Sequence, residues 1–200
     1  MGKLITIVGN SGVGKTTLVE KICELTPLIK ELEKLVERPF QELFSQDHRR
    51  YALTNQIDFL LFRAEQELVI RKGDATGIQD GGLDEDFNVF SRLFWQRGYL
   101  NRSELDLCER MYFFLREILP PPDLIVWLQA PLSVIVERYK RRGRSLEIAT
   151  LEDLKAMEVL LEEWLSEVKL SPVISIDTSV EDRSYSKSIE KILDHLQSNL

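Results

Sequence analysis

Leu4-Ile5-Thr6-Ile7-Val8, followed at once by Gly9-Asn10-Ser11-Gly12-Val13-Gly14-Lys15-Thr16, decides the fold. The first five residues are apolar and largely β-branched, the composition of a strand. The next eight fit G-x-x-x-x-G-K-[ST] in full, and Thr16 to Leu25 reads as a helix. In such a strand–turn–helix unit the glycines let the backbone curl, so that successive amide N–H groups point at phosphate oxygens. The start of the helix adds the positive end of its dipole. Lys15 then reaches the β- and γ-phosphates, and the Thr16 hydroxyl can ligate Mg²⁺. Gly9, Asn10, Ser11, Gly12, Val13, Gly14, Lys15, Thr16 and the adjoining Thr17 are the candidate nucleotide-binding residues, with ATP and Mg²⁺ as the implied cofactors. The motif leaves the acceptor open.

Beyond this unit, short apolar runs alternate with helical patterns. Strands are expected at Lys34 to Glu37, Ala75 to Gln79, Leu124 to Leu128 and Val173 to Ile176. Helices are expected at Asp47 to Arg71, Asp86 to Arg97, Arg102 to Leu119, Leu132 to Arg142, Leu151 to Val168 and Ser184 to Leu196. Leu124-Ile125-Val126-Trp127-Leu128 is continuously apolar, as in a strand buried on both faces. The fold class expected is α/β of the P-loop NTPase type, a five-stranded parallel sheet covered by helices on both faces, with an arginine-rich lid. No repeat or linker divides residues 1–200, so one domain is expected.

Net charge is −7, with 44% hydrophobic and 30% charged residues, the balance of an acidic soluble chain rather than a dedicated nucleic-acid binder. The longest charge-free apolar run, Leu124 to Val136, is too short to span a bilayer. Met1-Gly2-Lys3-Leu4-Ile5-Thr6 matches a myristoylation pattern by letter, but Lys3 to Val8 reads as a buried strand that leaves Gly2 little slack. With Lys15 and Glu20 interrupting any secretory apolar region, a cytoplasmic location is expected. Cys23 and Cys108, far apart and each within a helical pattern, read as reduced buried thiols.

Arg138, Lys140, Arg141, Arg142 and Arg144 place five cations within seven positions. Helix C-terminal capping explains one or two of them. The remainder fit a lid, at about 138–150, that holds the charge of a transferring phosphoryl group. No Asn-Lys-x-Asp guanine motif and no convincing Asp-x-x-Gly switch appear, which favours a small-molecule kinase over a GTPase.

With cradle and lid in hand, the chain resembles the deoxynucleoside kinase family. The resemblance is carried by Gly9 to Thr17, by Tyr51-Ala52-Leu53-Thr54-Asn55-Gln56 with Arg63, by Asp80 to Asp86, and by Pro122-Asp123-Leu124-Ile125-Val126. The lid Arg138 to Glu147 and the following Leu151 to Leu165 helix carry it further. It implies that Asp80 takes the proton from a deoxynucleoside 5′-hydroxyl, and that Lys15, Arg142 and the lid positions Arg138 and Arg144 hold phosphate. By the same resemblance Gln56 pairs with the base edge, Arg63 and Asp86 meet its far side, and Glu147 binds the sugar 3′-hydroxyl. Glu37, or Glu33 in an alternative register, stands for the family's glutamate after the second strand. A homodimer is expected, with Tyr112, Phe113 and Phe114 the aromatic run that would be partly covered.

Two departures stand out. Where the family reads Asp-Arg-Ser or Glu-Arg-Ser, this chain has Asp80-Gly81-Gly82, and Ser45 stands near Phe44 where the family often has tyrosine. Loss of one phosphate-facing arginine costs on the order of 2–4 kcal/mol of transition-state stabilisation unless another group substitutes. Two alternatives therefore stay open: a thymidylate kinase-like enzyme with Arg49 and Arg50 meeting an acceptor phosphate, and a nucleotide-binding module with weak or lost transfer.

Overall fold

Residues Leu4 to Val8 form β1, every side chain buried, because parallel strands covered on both sides leave no face for polar groups. In this computed structural model residues 1–31, 38–142, 150–180 and 185–199 are described, with backbone alone at 29–31, 142 and 196–199. The elements that follow are α1 (Lys15–Leu25), β2 (Ile29–Glu31), α2 (Pro39–Gln46), α3 (His48–Lys72), β3 (Gly77–Asp80) and α4 (Leu83–Glu85). A π-helical segment, Asp86–Ser91, leads into α5 (Arg92–Gln96), α6 (Arg102–Ile118), β4 (Leu124–Gln129), α7 (Leu132–Arg142), α8 (Leu151–Glu167), β5 (Val173–Asp177) and α9 (Ser186–Asn199).

All described strand pairs are parallel, in the order β2-β3-β1-β4-β5. Four strands of four to six residues carry the sheet, and β2 is a three-residue edge segment. The strand expected at Lys34 to Glu37 falls outside the described residues; the edge is filled earlier, at Ile29–Glu31. Register sets Ile7 beside both Asp80 and Val126, and Val8 beside Trp127. The segment that leaves β1 thus emerges next to the last residue of β3, outside the carboxyl ends of the strands, where open α/β sheets place their ligands.

Alternate strand residues feed two cores. Ile5, Ile7, Ile78, Leu124, Val126 and Leu128 meet Leu18, Val19 and Ile22 of α1 and Ile189 and Ile192 of α9. Val8 and Ile125 face the other way, toward Leu60 of α3, Val89, Cys108 of α6 and Met157, Leu160 and Leu161 of α8. Each such aliphatic side chain contributes about 1.5–3 kcal/mol on full burial, so packing rather than helix propensity holds these layers.

Helix boundaries follow local chemistry. Asn101 and Glu104 form a reciprocal capping box at the start of α6, and Thr150 and Asp153 do the same for α8. Asp47 caps α3 by accepting from the Arg50 amide at 3.0 Å. The stretch expected as one helix from Asp86 to Arg97 begins earlier, at Leu83, and passes through the π turn. Such turns recur at functional sites because they free a carbonyl and re-aim side chains.

Candidate active site

The cradle's glycines take positive φ: 143° at Gly9, 90° at Gly12 and 112° at Gly14. At Gly14 the requirement is steric as well, since a Cβ there would lie 2.1 Å from the Tyr185 hydroxyl. The turn is closed by Val13 N–H donating to the Asn10 carbonyl and by Ser11 N–H donating to Asn10 Oδ1, at 3.2 and 2.8 Å. Lys15 Nζ donates to the Gly9 carbonyl and, at 3.4 Å, to that of Asn10. Its ammonium is thus folded over the loop. Thr17 is exposed on the first turn of α1.

Residues distant in sequence brace the loop. The Asn10 side chain, 1% exposed, donates to the Leu154 carbonyl at 2.7 Å and to Glu158 Oε1 at 2.6 Å, joining the cradle to α8. Burial pushes the Glu158 carboxyl above its ordinary value, against the Asn10 hydrogen bond and Lys15. Thr178 Oγ1 donates to the Val13 carbonyl at 3.1 Å. Arg138 of α7 donates to the Thr178 carbonyl at 2.7 Å and to that of Val13 at 3.4 Å, which places its guanidinium beside the cradle.

Asp80 ends β3 with its carboxylate accepting from the Thr16 hydroxyl at 2.5 Å. Its backbone carbonyl accepts from Arg63 NH1 at 2.8 Å. The same guanidinium donates through Nε to Asp86 Oδ2 at 2.8 Å, and the Asp86 carbonyl accepts from Gln56 Nε2 at 2.8 Å. Gln56, Arg63, Asp80 and Asp86 are all at least 95% buried, so the four residues named from separate segments form one connected polar group. Its spine is α3, where Gln56 and Arg63, seven residues apart, share a face.

Arg63 does not pair with Glu67, its i+4 neighbour. Glu67 takes two hydrogen bonds from Arg116, which also forks onto Asp84; Tyr112 donates to the same Asp84 at 2.7 Å. Burial raises the Glu67 carboxyl and the two acids raise Arg116. This bridge between α3, α4 and α6 was not signalled by the sequence, because its hydrogen-bonded partners are 28 to 49 residues apart.

Glu85 was also missed. It is 2% exposed, accepts the Gly9 amide at 2.8 Å and lies 3.9 Å from Lys15 Nζ. One carboxylate among Asp84-Glu85-Asp86 at a helix start reads as ordinary dipole complementation, so no sequence signal separates it. Beside it Gly81 has φ of 77°, and a Cβ there would meet Arg63 NH2 at 2.9 Å and Glu85 Oε2 at 3.0 Å. Ser45 donates to the Glu42 carbonyl on its own helix. Arg49 donates to the Gly98 carbonyl, and Arg50 lies exposed over the Tyr51 ring. Glu33, Glu37, Arg144 and Glu147 lie outside the described residues, as does the side chain of Arg142.

The family profile described as deoxynucleoside kinase matches residues 5–200. A deoxyadenosine/deoxycytidine kinase of Bacillus subtilis is 27% identical over 201 aligned residues, covering 98% of this chain and 92% of its own. A deoxyadenosine kinase of Dictyostelium discoideum is 29% identical, covering 89% and 73%. Among solved structures, the deoxyadenosine kinase of M. mycoides with bound dCTP superposes with a TM-score of 0.82 at 24% identity, over 98% of this chain and 99% of that one, a likeness of fold. With a phosphate cradle opening on an aspartate at the end of the third strand, and a profile match from residue 5 onward, the chain belongs to the deoxynucleoside kinase family.

Proposed function

We propose that the chain transfers the γ-phosphoryl group of ATP to the 5′-hydroxyl of a deoxynucleoside, with Asp80 as the base that orients the hydroxyl and accepts its proton. One observation carries this reading: Asp80 touches the cradle through Thr16 and the buried polar group through Arg63. A hydroxyl held near that carboxylate therefore has phosphate on one side and its own base pocket on the other. Phosphoryl transfer needs little beyond such positioning and charge stabilisation. Lys15, Arg138 and Arg142 supply cations for the triphosphate, with Arg144 and Glu147 assigned to the lid and the sugar by family position.

The Thr16 hydroxyl is a hard oxygen of the kind Mg²⁺ takes, and it points at a carboxylate, so the residues present fit the ion. When bound, Mg²⁺ would neutralise charge on the β- and γ-phosphates.

The Arg63–Asp86 pair favours a base with an exocyclic amine. Adenine and cytosine offer N–H donors to the carboxylate, whereas thymine and guanine present carbonyl oxygens at the corresponding edge. Purified protein with Mg²⁺ and ATP should convert deoxyadenosine or deoxycytidine to the monophosphate in preference to deoxyguanosine or thymidine. No turnover with any of the four would overturn the reading; turnover only of a monophosphate would replace it with the thymidylate kinase-like alternative.

A homodimer is supported by an apolar face on two adjoining helices. Phe113, Phe114 and Ile118 of α6 are 56–61% exposed, and Leu61 and Val69 of α3 are exposed by 45% and 56%. Tyr112 turns inward to stack on Phe87, with ring centroids 4.6 Å apart. Phe113→Glu with Phe114→Glu should convert a dimer into monomer by light scattering; an unchanged mass would remove this face from consideration.

A further inference from the structure

We propose that Glu85 is a positioning residue of the phosphate cradle: it anchors the Gly9 amide and balances the Lys15 ammonium, and it takes a proton from solvent when that ammonium turns to a bound triphosphate. This rests on the ATP-binding part of the reading above and not on the identity of the acceptor.

The geometry gives Glu85 two attachments and a close backbone neighbour. Oε1 accepts the Gly9 N–H at 2.8 Å and faces Lys15 Nζ at 3.9 Å, while Oε2 lies 3.0 Å from the point where a Gly81 Cβ would stand. A carboxylate that is 2% exposed is costly to keep charged, and the chain has left room for it by placing glycine at 81. Replacement by an apolar residue would be the easier route to stability alone.

The groups around it set its charge. Lys15 from α1 and Arg63 from α3 favour the ionised form, and Asp86 on its own segment opposes it. Glu158 of α8 is a second carboxylate within the field of Lys15. Burial, the largest influence, raises the Glu85 carboxyl to about 7, with Lys15 the strongest restraint against a further rise. A triphosphate removes that restraint by engaging the ammonium and adds negative charge nearby. Both changes push the carboxyl the same way. One carboxylate oxygen gains a proton from solvent, and the other goes on accepting the Gly9 amide, so the loop keeps its anchor while the buried charge is removed.

Calorimetric titration of the full-length protein with MgATP at pH 7.5, in two buffers of different ionisation enthalpy, measures proton uptake directly. Wild type should take up about half a proton or more, and its ATP affinity should weaken between pH 7 and 8.5 by as much as about tenfold per unit. Glu85→Gln, which keeps an oxygen for Gly9 but cannot titrate, should show no uptake beyond that of MgATP itself and a flat affinity over the same range. Equal heats in both buffers for wild type, or uptake unchanged in Glu85→Gln, would overturn the proposal. If the variant does not fold, equal heats in both buffers for wild type still overturn the proposal, and Glu158→Gln should leave the uptake in place, its loss in that variant moving the proton away from Glu85. Protein that takes up the proton yet phosphorylates no deoxynucleoside would sink the proposed function and leave this inference standing.

Discussion

Asp80 and Arg63 illustrate what single residues contribute. Asn in place of Asp80 can still accept from Thr16 but cannot take a proton, so kcat should fall by about 10²–10⁴ while ATP binding stays within a few-fold. Steady-state rates beside ATP titration would separate the two; an unchanged kcat would remove Asp80 as the base. Arg63→Ala leaves the Asp86 carboxylate buried without its guanidinium, which should cost about 3–5 kcal/mol in denaturant unfolding. At this scale the sequence was informative wherever a residue type is tied to a fixed local pattern. Lys15 and Thr16 follow from the motif alone. Gln56, Arg63, Asp80 and Asp86 needed the family likeness to be picked out of ordinary polar positions. Glu85 and Arg116 were illegible, because a buried charge is defined by neighbours that only folding brings together.

Among the elements, the turn from β3 into α4 is the least ordinary. Its Gly81 sits at φ 77°, where an L side chain costs about 1–2 kcal/mol even in open space, and here the space is taken by Arg63 and Glu85. Gly81→Ala should therefore lower the melting temperature measurably and depress activity, and Gly81→Arg should not restore a family-like rate. An arginine variant with higher kcat/KM would show that the turn can adopt the family's backbone. Long strongly patterned elements such as β1, α3 and α6 were readable to within two residues. The edge segment Ile29-Lys30-Glu31 was not: it has no more β character than other short runs, and pairing with β3 is what makes it a strand. The π turn was equally hidden, since the carbonyl of Asp86 is claimed not only by Ser91 within the turn but by Gln56 of α3 through tertiary contact.

For the molecule as a whole, the buried acids give stability a pH dependence of known sign. Below about pH 4.5 the Glu85 carboxyl is protonated in both the folded and the unfolded chain. Between there and about 7 the folded chain keeps the proton that the unfolded chain has lost, so unfolding releases it and stability declines as pH rises. The full difference is at most about 3 kcal/mol. Glu85→Gln, which does not titrate, should gain on wild type by up to that amount between pH 4.5 and pH 8 in chemical unfolding. A constant offset would mean that Glu85 titrates alike in both states. Glu67, also raised by burial, adds a slope of the same sign within its bridge to Arg116.

The cradle is spelled out by the first sixteen residues, yet the groups that brace it come from Leu154, Glu158, Thr178 and Tyr185, near the opposite end of the chain. A polypeptide still emerging from the ribosome would thus carry the complete signature long before it could grip a nucleotide. Competence should arrive late, once β5 and the residues that follow it have docked.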